Sequence, residues 1–488
     1  MGNVLKKLAG RCWVKKVFLV ALMLSFASTA GADSIDNKAL VKLLESKGVI
    51  TKDEAVAVEK DTKPKVDISG EIRIRPEMKS NYDFNDSKDD NKFYVGQRVR
   101  LNVKAKPGDN IDAVLTIQDS RRWAEKSQAA YSTTATNSSS TLPTASPSNA
   151  SSGTEAEALD LFQAYIQVSN VNDLGVDVKI GRQALEYGDQ RLVGSSGWAD
   201  TGRAFDAFKM SYRVSEASKV DMFWAKLSVA TNTATGNTAA QLDADLYGLY
   251  STWNFPLIEK SSLDVYYLVW GDATGGLSRN ISTYGARIAG KPGAIDFTAE
   301  AAFQAGKWSK TVDQVANAWA VTAGYTMKEA WNTRIGAEVD FGSGDDASDT
   351  TKHKTFVFPF HGNNHAYYGY MDLFSWGNMN DTRLQLTTKP MDSKTTVDIS
   401  YHIFTLDSAK DGWYYAAGTG TANLAAAGAK SKTDAGSELD LTLTYPYSPA
   451  LKVIGGYSIF TPGDAVRERN SGIGDSASWG YLTALLSF

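Results

Sequence analysis

The chain has 488 residues, 43% of them apolar, 22% charged and 11% aromatic, with a formal charge of −4 and a single cysteine. No apolar run reaches the roughly 18 residues of a helical membrane span, which excludes a polytopic helical membrane protein. So acidic a chain is a poor partner for nucleic acid, and one cysteine supports no disulfide framework.

Residues 1–32 read as a secretory signal peptide. Lys6, Lys7, Arg11, Lys15 and Lys16 precede the apolar run Val17–Ala27, and small residues end in Ala30-Gly31-Ala32, an A-x-A cleavage site. Its removal takes five of the 51 bases and none of the 55 acids, lowering the formal charge from −4 to −9, and also removes Cys12. Residues 33–64 read as a short helical periplasmic segment. Leu40, Leu43 and Leu44 share a face, Gly48 breaks it, Thr51-Lys52-Asp53-Glu54 makes a capping box, and Lys63-Pro64 ends it.

From residue 65 the period becomes two. Val66, Ile68, Ile72 and Ile74 alternate with Asp67, Ser69, Glu71, Arg73 and Arg75. Ile335, Ala337, Val339 and Phe341 alternate with Arg334, Glu338 and Asp340, and Leu439, Leu441 and Leu443 with Glu438, Asp440 and Thr442. One apolar and one charged face over about ten residues is the mark of a membrane-spanning strand. Eighteen such segments begin near residues 66, 92, 111, 158, 176, 204, 219, 245, 263, 281, 295, 316, 331, 382, 395, 438, 451 and 478. Short connections (106–110, 214–218, 290–294, 327–330, 446–450) alternate with long ones (78–91, 124–157, 188–203, 342–381, 407–437 among them). The predicted fold of residues 65–488 is therefore an all-β transmembrane antiparallel barrel of about 18 strands in a Gram-negative outer membrane, with short periplasmic turns and long outer loops. The final strand, ending in Phe488, is the type of signal read by the barrel assembly machinery. Trp224, Trp253, Trp308, Trp319 and Trp331 fit interfacial girdles facing lipid and lipopolysaccharide. The Ser/Thr/Ala tract 127–154 cannot bury a core.

Gly181-Arg182-Gln183 followed by Tyr187-Gly188-Asp189-Gln190-Arg191-Leu192, and Trp198-Ala199-Asp200-Thr201-Gly202-Arg203-Ala204-Phe205-Asp206 after it, resemble signatures of the alginate export family of outer-membrane proteins. Gly369-Tyr370-Met371-Asp372-Leu373-Phe374, Trp413-Tyr414, Gly436–Leu441 and Gly456–Asp464 recur in that family's order. The resemblance implies an eighteen-stranded barrel conducting polar, often anionic, solutes.

Strand alternation assigns a charged lumen. Arg73, Arg75, Arg98, Arg100, Lys104, Arg122, Lys179 and Arg182 come from early strands. Glu300, Glu338, Asp340 and Asp440 come from late ones, with Arg334 and Arg383 the main late bases. Bases on one arc facing acids on the other orient dipolar solutes; pairing across neighbouring strands is the competing reading. Arg182, Asp189, Arg191 and Arg203 lie where a loop could fold inward as a constriction, or pack on the wall as a salt-bridged loop. His361 and His365, in a long outer loop, lack an HExxH motif and flanking carboxylates, so no metal or other cofactor is expected, and no motif nominates a catalytic group. Three functions remain: a passive channel for small polar or anionic solutes, a polyuronate export pore with a periplasmic partner, and a barrel sheathing a trans-membrane electron carrier.

Overall fold

The computed structural model describes residues 65–123, 159–228, 244–273, 278–414 and 430–488; the expected signal peptide, the expected helical segment and the Ser/Thr tract lie outside them. In chain order the strands are β1 (Lys65–Ser80), β2 (Lys92–Gly108), β3 (Ile111–Arg122), β4 (Asp160–Val168), β5 (Val176–Gln183) and β6 (Phe205–Ser215). Then come β7 (Ser218–Ser228), β8 (Ala244–Asn254), β9 (Ser261–Asp272), β10 (Arg279–Gly290), β11 (Ile295–Lys307), β12 (Asp313–Met327) and β13 (Thr333–Gly342). The last are β14 (Lys352–His353), β15 (Met379–Thr388), β16 (Thr396–Thr405), β17 (Asp434–Pro446), β18 (Leu451–Pro462) and β19 (Ala477–Ser487).

β14 is a two-residue pairing inside a loop, parallel to β12. The other eighteen each pair antiparallel with their chain neighbours, and β19 returns to β1 with Arg73 opposite Leu485 and Lys79 opposite Trp479. The ring closes beyond the last paired strand residues. Gly70 N donates to Phe488 O at 2.8 Å and Phe488 N to Gly70 O at 3.0 Å. Closure satisfies every strand edge, which lipid demands because it offers no hydrogen bonds. Each strand starts within about four residues of its sequence-based position, inside the usual error of such boundaries.

Outward residues are apolar and open to lipid, as at Ile335 (55% exposed), Leu384 and Leu439. Trp253, Trp319 and Trp331 lie among these exposed side chains. Trp308 does not belong to that girdle; it stacks on His353 at 3.8 Å and under the Arg279 guanidinium at 3.9 Å.

The lumen holds the core. Segments 184–204, between β5 and β6, and 343–378, between β13 and β15, fold inward and bury Leu185, Val193, Phe356, Phe360, Tyr368 and Phe374 against wall residues Phe205, Phe223, Leu246, Phe404 and Phe460. The expectation of a solvated outer loop over 342–381 is corrected accordingly. Its aromatic run Phe356-Val357-Phe358-Pro359-Phe360 is too apolar to remain in water and finds an interior instead. A short helix, α1 (Asn364–Tyr367), lies in this loop, and α2 (Asp464–Arg469) caps the outer end after β18. Trypsin applied to intact cells should therefore cut at exposed Lys88 or Lys310 and spare Arg191 and Arg203, which are inside, and Lys291 and Lys328, which are on short turns expected on the periplasmic side. Early cleavage at Arg191 or Arg203, read by mass spectrometry, would mean that the loops do not pack inward.

Candidate functional site

Within the first inward loop, Gly188 adopts φ +54°, a conformation favouring glycine, and turns the chain so that Asp189 meets Arg287 of β10. Two residues later Arg191 reaches β13 on the far side of the lumen. Its guanidinium donates to Glu338 at 2.5 Å, Asp340 at 2.9 Å and the Tyr368 hydroxyl at 2.9 Å, and the Tyr367 ring lies 3.7 Å from it. Arg383 donates to Glu338 from the neighbouring strand and to the Ala366 carbonyl at 2.6 Å. Burial disfavours the charged form of Arg191, but Asp340, Tyr368 and Glu338 outweigh it and hold the guanidinium well above its ordinary value.

The two loops are joined to each other by backbone. Gly194 N donates to Phe360 O at 2.9 Å and Gly362 N to Gln190 O at 2.8 Å. A Cβ on Gly194 would lie 2.6 Å from the Gly362 Cα, so only glycines permit this approach. Arg203 ties the junction by donating to the His361 carbonyl at 2.5 Å. Burial, with Arg203 alongside, pushes the His361 imidazole down to about 3. Trp198 of the first loop stacks on His365 of the second at 3.9 Å, and His365 on Tyr370 at 4.6 Å.

The early arginines point inward but meet protein rather than open water. Arg73 and Arg75 both bind the Asp200 carboxylate and donate to the Trp198 carbonyl at 2.8 and 2.9 Å. Arg98 binds the carbonyls of Gly197 and Ala199 as well as Glu71, and Arg100 binds Gln118 at 2.7 Å and approaches Thr201 O at 3.4 Å. This ladder grips the main chain of 197–201. Arg122 lies 4.1 Å from the Tyr94 ring.

On the late arc, Glu300 accepts from the Tyr266 hydroxyl, Arg334 pairs with Asp296 at 2.6 Å, and Asp440 accepts from Ser458 and faces the Tyr370 amide at 3.4 Å. The opposed arcs of charge are thus largely consumed in pairs. Among the described residues no group of three or more His, Cys, Asp or Glu is placed to hold a metal ion.

Arg182 leaves the lumen set. It sits opposite Asp206 in the register, and that pair alternates with Gln183 and Phe205, both fully buried within the barrel. Arg182 therefore faces outward, contacting Asp206 at 3.5 Å and the Leu161 carbonyl at 2.7 Å. The sequence held this answer: Lys179 and Arg182 are three apart, so a strand cannot point both inward. Sequence reasoning missed Asp200 and Arg287 as anchors. The Asp200 position inside the Trp198–Arg203 motif was the available signal; Arg287 offered none beyond strand parity.

Replacing Arg191 by Gln strands Glu338 and Asp340 without their shared cation. Breaking a buried ion group in this way costs about 3–5 kcal/mol, so R191Q should unfold at markedly lower temperature in detergent. An unchanged transition would show that the contact holds nothing. The depressed His361 predicts a second effect. The unfolded chain takes up a proton near the ordinary value of 6.5 and the folded one only near 3, so stability is intact above about pH 6.5 and falls as pH drops through that window. An H361N variant should lose part of that acid sensitivity in pH-dependent melting.

The sequence matches the family model for alginate export over residues 65–478. No curated protein matches the chain. Among solved structures, OccK9 (OpdG) of Pseudomonas aeruginosa aligns with TM-score 0.55 at 11% identity, covering 87% of this chain and 98% of that one. OccAB1 of Acinetobacter baumannii aligns with TM-score 0.54 at 11% identity over 87% and 96% of the two chains. OccK2 (OpdF) of Pseudomonas aeruginosa, in a structure with glucuronate, aligns with TM-score 0.52 at 12% identity over 87% and 98%. With its closed eighteen-stranded barrel and a family match across most of its length, the chain belongs to the alginate export family of Gram-negative outer-membrane proteins and is a channel or export pore of that membrane.

Proposed function

We propose that the protein is a passive channel for small polar or anionic solutes. The observation that carries this reading is the junction of the two inward loops, hydrogen-bonded to each other and anchored by buried ion pairs to opposite walls. A passage beside such a junction suits a solute of sugar size. A polymer chain would require both loops to leave together, breaking the Arg191 and Asp200 contacts at once. The family name favours that polyuronate export reading, with a periplasmic partner to move the loops. A protein electron carrier would compete with the loops for the same interior, which disfavours the sheath. Glucuronate in the OccK2 (OpdF) structure is a small carboxylate sugar, consistent with the first reading. The reading calls for no catalytic group and no cofactor. Its other partners are lipid and lipopolysaccharide around the barrel and the assembly machinery that reads the last strand.

The test is conductance in planar bilayers. In a salt gradient the wild-type reversal potential should show anion preference that weakens at high salt, where charges are screened. R98Q/R100Q removes donors that hold the 197–201 carbonyls, so it should raise conductance and current noise. A wild-type channel without anion preference, or one that passes alginate as readily as a monosaccharide acid, would overturn the proposal.

A further inference from the structure

Below the loop junction, on the side of the short turns, the pairing of β5 with β6 sets Lys179 directly opposite Lys209. Like charges in opposed positions of an antiparallel pair repel. Both point inward: Lys209 alternates with Phe208 and Met210 and shares its face with buried Phe205 and Ala207, while Lys179 shares its face with Gln183 and alternates with lipid-facing Ile180. Lys104 of β2 and Lys219 of β7 extend the patch. Asp112 serves Lys104 at 3.1 Å, and Asp221 serves both Lys209 at 3.0 Å and Lys219 at 3.4 Å. Two carboxylates thus answer four ammonium groups. Lys179 lies 4.3 Å from the Tyr165 ring, and no carboxylate pairs with it among the described ion pairs. The Lys209 ammonium is 5.4 Å from the ring of Tyr187, near the start of the inward loop, so the patch begins at the underside of the constriction.

We infer that Lys179 and Lys209, flanked by Lys104 and Lys219, form a binding subsite for a small carboxylate solute at the periplasmic mouth of the constriction. The excess positive charge, the opposed lysines and a cation resting on a ring rather than on an acid all leave room for one anionic guest. Its carboxylate would accept from Nζ of Lys179 and Lys209 and relieve their repulsion. This inference rests on the channel reading and names its solute class and seat.

The experiment measures interruption of chloride current by glucuronate, with glucose as neutral control. Wild-type current should fall with glucuronate and not with glucose. In K179Q/K209Q the half-blocking concentration should rise roughly tenfold or more, the loss expected for a charge-assisted contact. K179R/K209R should keep the block. Heat-modifiable migration on gels confirms folding of each variant, and K179Q alone replaces the double variant if the latter fails to insert. Block at an unchanged concentration in the glutamine variant would overturn the subsite while leaving the channel intact. A wild-type current indifferent to glucuronate would likewise overturn the subsite, whereas a wild-type channel that passes no anions would overturn both.

Discussion

The contact on which the interior depends is that of Arg191 with Glu338 and Asp340. A barrel of eighteen strands encloses far more space than its wall side chains can fill. Left to water, the apolar side chains of 185–193 and the aromatic ones of 356–374 would remain exposed. Folding them inward buries that surface but requires their backbone to be hydrogen-bonded away from solvent and their position fixed across a wide gap. Arg191 meets the second requirement with a planar donor set matched to two carboxylates, which lysine could not supply. The first is met by backbone pairing between the loops and by arginines on β1 and β2 that bind carbonyls 197–201.

Burying such charges is costly, and the arrangement is tolerated because few are left alone. Glu338 is shared by Arg191 and Arg383, Asp200 by Arg73 and Arg75, and Arg287 by Asp189 and Asp264. Each of these charges therefore serves two partners, and those of Glu338 and Arg287 come from distant parts of the chain. Loosening one pair exposes a second, so the loops should move as a unit or stay in place.

The strands were legible because lipid is an unforgiving solvent: an arginine at mid-membrane on the outer face costs about 2–4 kcal/mol, which imposes strict alternation. That rule assigned Arg73, Arg98, Glu338 and Asp440 to the inner face, and all four are buried. It would also have placed Arg182 outside, had its parity with Lys179 been followed through the end of β5. At the rim, headgroups replace hydrocarbon and a charge paired with Asp206 is tolerated, so residue type alone misled there. The interior was less legible. Arg191 and Glu338 are 147 positions apart, and nothing local to either announces the other. Only the aromatic density of 356–374 hinted that a loop counted as external had reason to be inside.

These facts divide the charged wall by task. Toward the outer end, arginines bind protein: carbonyls, Asp200, and the carboxylates of facing strands. Their forked geometry fixes loops, and their burial withholds them from a passing solute. Toward the short turns the bases are mostly lysines, half-exposed and incompletely answered by acids, as Lys104, Lys179, Lys209 and Lys219 show. A flexible ammonium that keeps much of its hydration binds a mobile anion weakly and releases it readily, which is what conduction needs. Arginine where the structure must hold and lysine where the solute must leave is thus a consequence of the two side chains' chemistry. On the proposed channel reading, selectivity follows not the total positive charge along the lumen but the small fraction that no carboxylate or carbonyl has already claimed.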